Sequence, residues 1–412
     1  MGELNNSFKK KSVLILGVAN YGRTEAIRDY FIKNKIKNLY IIIYDGPYAA
    51  NKESSFLHYK FGKLIKKVKY KSFTIKNLTR LKYPLVSIVF FYYLINTIKS
   101  IRHIKDNLDY SISVGTFLSA CNIILKKVTF SKVKTIYYSI DYYLNQPNYL
   151  GDFLSFQKTM INIFYRIDSY VYKQADFYWE LTESIEATRK KILGKKLKIR
   201  KKYSVPLGYS KLFHEEYNKT SIKKKNIMKN RYALIGVVSK NQGLDLILKL
   251  LQKYKKKLGN IEFMIVGTGP YLNEFKELVV KLKLDQYFYF TGFLELESLA
   301  KELSTVTFGI TMFPNLKSNH SLSAEPGKIK LFYSLNTPII ISNNVLISKK
   351  IEEFKAGVII EYNEDILFKS IIKYQDDSKY EAICNNARLF KKEECISDIH
   401  FDKAFKSMEN NS

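Results

Sequence analysis

The chain has 412 residues, 46% hydrophobic and 26% charged, a balance that folds and excludes a disordered or collagen-like polymer. Its 68 basic residues against 38 acidic ones leave a formal charge of +30, which favours phosphates or an anionic bilayer surface as partners. Nucleic acid is not expected, since no RNP-type aromatic run, zinc knuckle or helix-turn-helix signature is present.

That length allows two domains, each with its own core. The three cysteines, Cys121, Cys384 and Cys395, are odd in number and lack metal-ligand spacing. They read as reduced thiols of a cytoplasmic protein. Lys9-Lys10-Lys11 precedes a short apolar run that passes into Asn20, Gly22 and Arg23, so it reads as a first strand and not a signal peptide. The longest apolar stretch, residues 83–98, falls short of the roughly 20 residues that span a bilayer.

Taken in order, residues 13–18 predict a buried strand and 23–33 a helix, with Ala19-Asn20-Tyr21-Gly22 turning between them. Such a turn, at the carboxyl end of a strand, is where open α/β sheets bind ligands. It carries no G-x-G-x-x-G, so dinucleotide binding is not expected. Residues 39–44 form the second strand. Residues 52–82 interleave lysines (Lys60, Lys63, Lys66, Lys67, Lys69) with aromatics (Phe56, Tyr59, Phe61, Tyr70). That mixture suits either a solvated face or contact with an anionic headgroup layer. Residues 84–101 predict a helix apolar nearly all round, belonging to the core or dipping into a bilayer.

Strands at 110–115 and 134–140 bracket a helix over 116–127. Asp141 follows the second of these in an apolar-aromatic setting, which makes it a site candidate as well as a candidate turn cap. A helix over 153–172, a strand over 176–182 and a helix over 183–192 come next, with Thr182 as N-cap. Asp168 and Asp176 read as structural partners for Arg166 and for backbone N–H groups. Residues 214–230 are polar and lysine-rich, a shift that supports a boundary near 207. Beyond it, strands at 232–238, 261–266, 287–291 and 306–312 alternate with helices at 244–255, 271–281 and 295–303. Helical crossovers of this kind predict parallel sheets wound on both faces. Two helices, 378–390 and 397–408, close the chain.

The most informative stretch is 323–342. Pro326 suits a first helical position; Ile329, Phe332 and Leu335 recur at one-turn spacing. Asn336 can take the left-handed conformation that ends a helix, and Pro338 forbids continuation. Lys328 is out of place electrostatically, because a cation in a first turn opposes the helix dipole by about 0.3–1 kcal/mol. It makes sense if a phosphate sits between it and the free N–H groups, though lysine is common throughout this chain.

This run, Glu325-Pro326-Gly327-Lys328-Ile329-Lys330 with Pro338, resembles the D-P-x-K-x-K-x-Y donor segment of GT-B glycosyltransferases of the family 4 type (glycosyl transferases group 1). Phe332 stands for the Tyr and Asn336 for a Gly. Ile265-Val266-Gly267-Thr268-Gly269-Pro270 is similar to the family's "iiGtGp" turn, and Phe290-Thr291-Gly292-Phe293 to the segment beside which the nucleotide base sits. Asn241-Gln242-Gly243-Leu244-Asp245 resembles "KqGldl", and Val205-Pro206-Leu207-Gly208 resembles the entry to the interdomain linker.

The resemblance implies an α/β protein of GT-B type, two Rossmann-like doubly wound parallel-sheet domains facing a central cleft. Residues 1–206 would bind the acceptor and 207–390 the nucleotide-sugar donor, with a C-terminal helix in 391–412 returning to the first domain. It implies a metal-independent, retaining hexosyltransferase that moves sugar from a nucleotide-diphosphate sugar to a saccharide acceptor, lipid-linked, in surface polysaccharide biosynthesis. No cofactor and no metal are expected, and no D-x-D occurs. The protein would be cytoplasmic, peripheral on the inner face of the membrane. Asp141 and Lys328 are the expected catalytic residues. Gly22, Lys240, Gly267, Gly292, Glu325, Gly327 and Lys330 are expected at the donor, and His320 on the acceptor side.

The pattern also fails in places. Where the family holds the diphosphate with Arg or His after the first glycine of this half and Lys before the second, this chain has Val237 and Asn241-Gln242. The E-x7-E motif falls on Ser323 and Leu331, so either Glu325 takes over the ribose or donor binding is altered. A catalytically silent GT-B partner or membrane-binding subunit is the alternative. No G-x-S-x-G or G-x-x-x-x-G-K-[ST] points to hydrolase or P-loop chemistry.

Overall fold

A computed structural model describes residues 6–18, 23–44, 54–70, 85–129, 132–140, 154–194, 201–221, 230–314 and 325–410. The chain divides into two compact units, Met1–Pro206 with Ser397–Ser412, and Leu207–Ile396.

The first unit is built on an eight-stranded sheet of order β4-β3-β2-β1-β5-β6-β7-β8. Its strands are β1 (Ser12–Val18), β2 (Asn38–Tyr44), β3 (Ser54–Lys60), β4 (Lys63–Tyr70), β5 (Tyr110–Val114), β6 (Lys134–Ser139), β7 (Phe177–Glu180) and β8 (Lys202–Ser204). Pairing is parallel from β2 through β8 and antiparallel across β2-β3-β4. Successive side chains on a strand point to opposite faces. Val13 and Ile15 therefore enter one core with Leu39 and Ile41, while Leu14 and Leu16 enter another with Tyr40 and Ile42. Burial on both faces explains the unbroken apolar runs.

The helix Ser397–Asn410 belongs to this unit. Its Phe401 and Phe405 lie 5.7 and 5.1 Å from the Trp179 ring. Asp402 accepts a 2.7 Å bond from the Tyr30 hydroxyl, and Lys33 lies 3.2 Å from Asp398.

Two features differ from expectation. Residues 52–82 contain a β-hairpin that hydropathy did not reveal. Its two-residue turn places Phe61 (φ 48°) and Gly62 (φ 80°) in the left-handed region, as tight hairpins of right-handed twist require. β4 is exposed along most of its length and carries lysines on both faces, so the alternation that marks a strand is missing. The second difference concerns Asp168. Its partner is Arg189, 2.7 Å away, and not Arg166, and both side chains are fully buried. Tyr137 donates to Asp168 at 2.6 Å, and Arg189 donates to Ser139 at 3.0 Å and to the Tyr178 hydroxyl. Asp176 does accept from a backbone N–H, that of Thr135 at 2.7 Å, and also from Lys126 at 2.6 Å.

The second unit carries a six-stranded, all-parallel sheet of order β11-β10-β9-β12-β13-β14. These strands are β9 (Arg231–Ile235), β10 (Glu262–Val266), β11 (Phe288–Gly292), β12 (Phe308–Thr311), β13 (Ile339–Ser342) and β14 (Val358–Ile360). Strand order reverses at β9, between β10 and β12, so the crevice at its carboxyl end is the place where such sheets take ligands.

Candidate functional site

In the second unit, the loops that leave the carboxyl ends of β9, β10 and β11 are stitched together by their backbones. Gly236 N–H donates to the Val266 carbonyl at 3.0 Å, Gly267 N–H to Gly292 at 2.7 Å, and Val238 N–H to Thr268 at 3.0 Å. The contact is close enough to require glycine: a Cβ at Gly267 (φ 128°) would fall 2.0 Å from the Gly236 carbonyl oxygen. Gly267 and Gly292 are thus adjacent, through main-chain atoms that no sequence motif has to encode.

The helix Gly327–Ser334 enters the same region. Pro326 (φ −65°, ψ 117°) is its N-cap, one residue before the first helical position expected for it. Ile329, Phe332 and Leu335 are buried, as their spacing predicts. The helix stops as expected at Asn336 (φ 59°). Asn336 N–H bonds Tyr333 and Thr337 N–H bonds Phe332, both at 2.9 Å, the two bonds of a Schellman motif.

Lys328 lies in the first turn of this helix, its Cδ 4.0 Å from where a Cβ of Gly236 would be. Its ammonium donates to the Gln242 side-chain oxygen and sits 4.8 Å from the centre of the Phe313 ring. No carboxylate among the described residues is bonded to it. Burial therefore pushes its pKa down to about 7. A cation in the first turn of a helix, where the backbone N–H groups point outward, is an arrangement that suits an anion.

Glu325 and Lys330 are arranged differently. Lys330 Nζ lies 3.0 Å from Glu325 Oε1 with both side chains buried, and it also donates to the Glu394 carbonyl at 2.6 Å. Burial alone would lower the lysine pKa, but the Glu325 charge and hydrogen bond, together with the charges of Cys395 and Glu394, outweigh it and hold the value above the ordinary one. The other Glu325 oxygen accepts from Leu207 N–H at 3.0 Å. These charges are satisfied inside the unit, where they fix the entry of the helix. Leu331, at the position of the resembled family's glutamate, is part-buried against the aliphatic core.

Lys240, in the 3-10 helix Lys240–Gln242, is exposed, pairs with Glu274 at 2.7 Å and lies 5.1 Å from the Tyr271 ring. Gly327 is exposed at the helix start. Gly22, Asp141 and His320 lie outside the described residues. Sequence reasoning missed Gln242 and Phe313 as neighbours of Lys328. Gln242 stood out as a departure from a pattern, whereas Phe313 carried no signal. No group of three or more His, Cys, Asp or Glu able to hold a metal occurs among the described residues. No helix among them is long and apolar enough to cross a membrane.

Residues 217–390 match the model of the family described as glycosyl transferases group 1. No curated protein sequence matches the chain. Among solved structures, HepE of Anabaena in complex with UDP superposes with a TM-score of 0.60 at 11% identity, covering 97% of this chain and 100% of that one. Sucrose-phosphate synthase of Thermosynechococcus elongatus gives 0.65 at 10% identity, with coverage of 98% and 100%. WaaG, a glycosyltransferase involved in lipopolysaccharide biosynthesis, gives 0.59 at 13%, with 95% and 98%. Residues 217–390 are thus similar to the glycosyl transferases group 1, and the fold of the chain is that of the GT-B glycosyltransferases.

Proposed function

We propose that the protein moves a hexose from a nucleotide-diphosphate sugar to a saccharide acceptor that is lipid-linked, in the assembly of a surface polysaccharide. The observation that carries this reading is the Lys328 ammonium, held without a carboxylate partner among the described residues at the start of the helix Gly327–Ser334, beside Gly236. As the bond to the sugar breaks, negative charge develops on the leaving diphosphate. A preorganised lysine and helix N–H groups stabilise that charge more than they stabilise the bound substrate. No metal is needed for this step, and retention of anomeric configuration is the stereochemistry proposed. Gly267 and Gly292 let main chain approach the nucleotide closely. Glu325 and Lys330 serve by fixing the helix entry, and Lys240 approaches from the rim. Asp141 and His320 are assigned to the acceptor side. HepE, similar in fold, has been seen with UDP-glucose, which supports a nucleotide sugar as donor.

A panel of nucleoside diphosphates in thermal-shift measurements tests this reading. At a hundredfold excess over Kd, a ligand stabilises by about 2.7 kcal/mol. For a unit of this size that is a rise in Tm of roughly 5–10 °C with at least one of them. A flat response to all of them would sink the donor assignment and favour a catalytically silent role, for which Val237, Asn241 and Leu331 are the motive. Transfer assays in EDTA with the responding nucleotide's sugars then test the reaction and its metal independence.

A further inference from the structure

The β3–β4 hairpin at the edge of the first sheet has no part in the chemistry above. Among the described residues β4 pairs with β3 alone, which leaves one strand edge open. Three large apolar side chains stand out from it: Phe61 (55% exposed), Leu64 (50%) and Ile65 (59%). Phe61 occupies the tip of the turn. Ile65 is the extra residue where the register slips, since Tyr59 pairs with Leu64 but His58 with Lys66. Between and around these side chains lie exposed Lys60, Lys63 and Lys67. Lysines and a bulge are ordinary devices for blunting a sheet edge, but three large exposed apolar side chains set among them are not.

We propose that this hairpin docks the first unit onto an anionic lipid surface. Phe61, Leu64 and Ile65 would enter the boundary between headgroups and acyl chains, and Lys60, Lys63 and Lys67 would lie on the lipid phosphates. Charge complementarity selects this occupant. A second copy pairing antiparallel along β4 would set lysine against lysine, which destabilises a strand pair. An anionic bilayer instead rewards both components at once, apolar burial and cation–phosphate attraction. The proposal deepens the reading of a lipid-linked acceptor by naming the surface that would bring the enzyme to it.

The test uses the full chain and sedimentation with vesicles of phosphatidylcholine alone or with about a quarter phosphatidylglycerol, without donor or acceptor. The wild type is expected to partition onto the anionic vesicles only, and to release as salt shortens the screening length. Two variants probe the two components separately: Lys63→Gln with Lys67→Gln, and Phe61→Asn with Ile65→Thr, Asn being suited to the left-handed turn. Each is expected to lower the partition coefficient at least about tenfold, with unchanged circular dichroism and an unchanged thermal shift on nucleotide. Equal binding to neutral and anionic vesicles, or variants that bind like the wild type, would overturn the proposal. So would a concentration-dependent dimer in light scattering that the variants abolish, because the face would then belong to a second copy. A lost vesicle response beside an intact nucleotide shift separates this failure from failure of the transferase reading.

Discussion

Replacing Lys328 by Met should lower transfer by at least about 10²–10³-fold, the loss typical when one preorganised stabiliser of developing negative charge is removed. The same change should leave the ligand-free protein as stable or more so. Methionine fills similar space and removes an ammonium that is desolvated against Gln242 and Phe313. Activity and stability therefore move in opposite directions, which simple misfolding cannot mimic. Calorimetry with donor turnover on one preparation reads both. Activity within threefold of wild type would remove Lys328 from the mechanism.

The same residue sets a pH dependence. Its pKa falls from 10.5 to about 7 in the ligand-free protein. Over that window the unfolded chain holds the proton that the folded one has lost, so this group's contribution makes stability rise with pH, the cost being fully present below about 7. A bound diphosphate favours the charged lysine and raises the pKa again. Diphosphate binding above pH 7 should accordingly take up a proton, and affinity should weaken by up to about tenfold per pH unit. Titration calorimetry in buffers of different ionisation enthalpy measures that uptake directly, and Lys328→Met should abolish it.

The second large effect lies in the first unit. Arg189→Met should destabilise that unit by about 3–5 kcal/mol, because Asp168 would be left charged and fully buried without its partner. Asp168→Asn added to Arg189→Met should recover much of the loss. Trp179, the single tryptophan of the chain, lies in this unit's core against Phe401 and Phe405 and reports its unfolding. Denaturant titration followed by tryptophan fluorescence is thus the measurement. A single variant within about 1 kcal/mol of wild type would show that the Tyr137 and Thr116 hydroxyls hold the carboxylate unaided.

The buried parallel strands were legible because residues covered on both faces must be apolar throughout, as in Val13-Leu14-Ile15-Leu16 and Leu39-Tyr40-Ile41-Ile42. The end of the helix at Asn336 was legible because few residues tolerate its φ of 59°. Each of these signals is local: a backbone angle or a face requirement restricts the residue on the spot. The β3–β4 hairpin escaped because an exposed edge strand makes no such demand on its side chains.

Partnerships between distant residues obey no local rule. Lys328 and Lys330 are two positions apart on one helix and chemically identical, yet one faces Gln242 and the other Glu325. Only the packing of the helix assigns them opposite pKa shifts. Asp168 likewise has Arg166 nearby in sequence but is paired with Arg189. By itself, then, the sequence determined the parallel sheet-and-helix alternation and the helix that Pro326 introduces. The tertiary structure alone decided which lysine is left without a countercharge among the described residues, because that depends on which groups folding brings within a few ångströms, a non-local quantity.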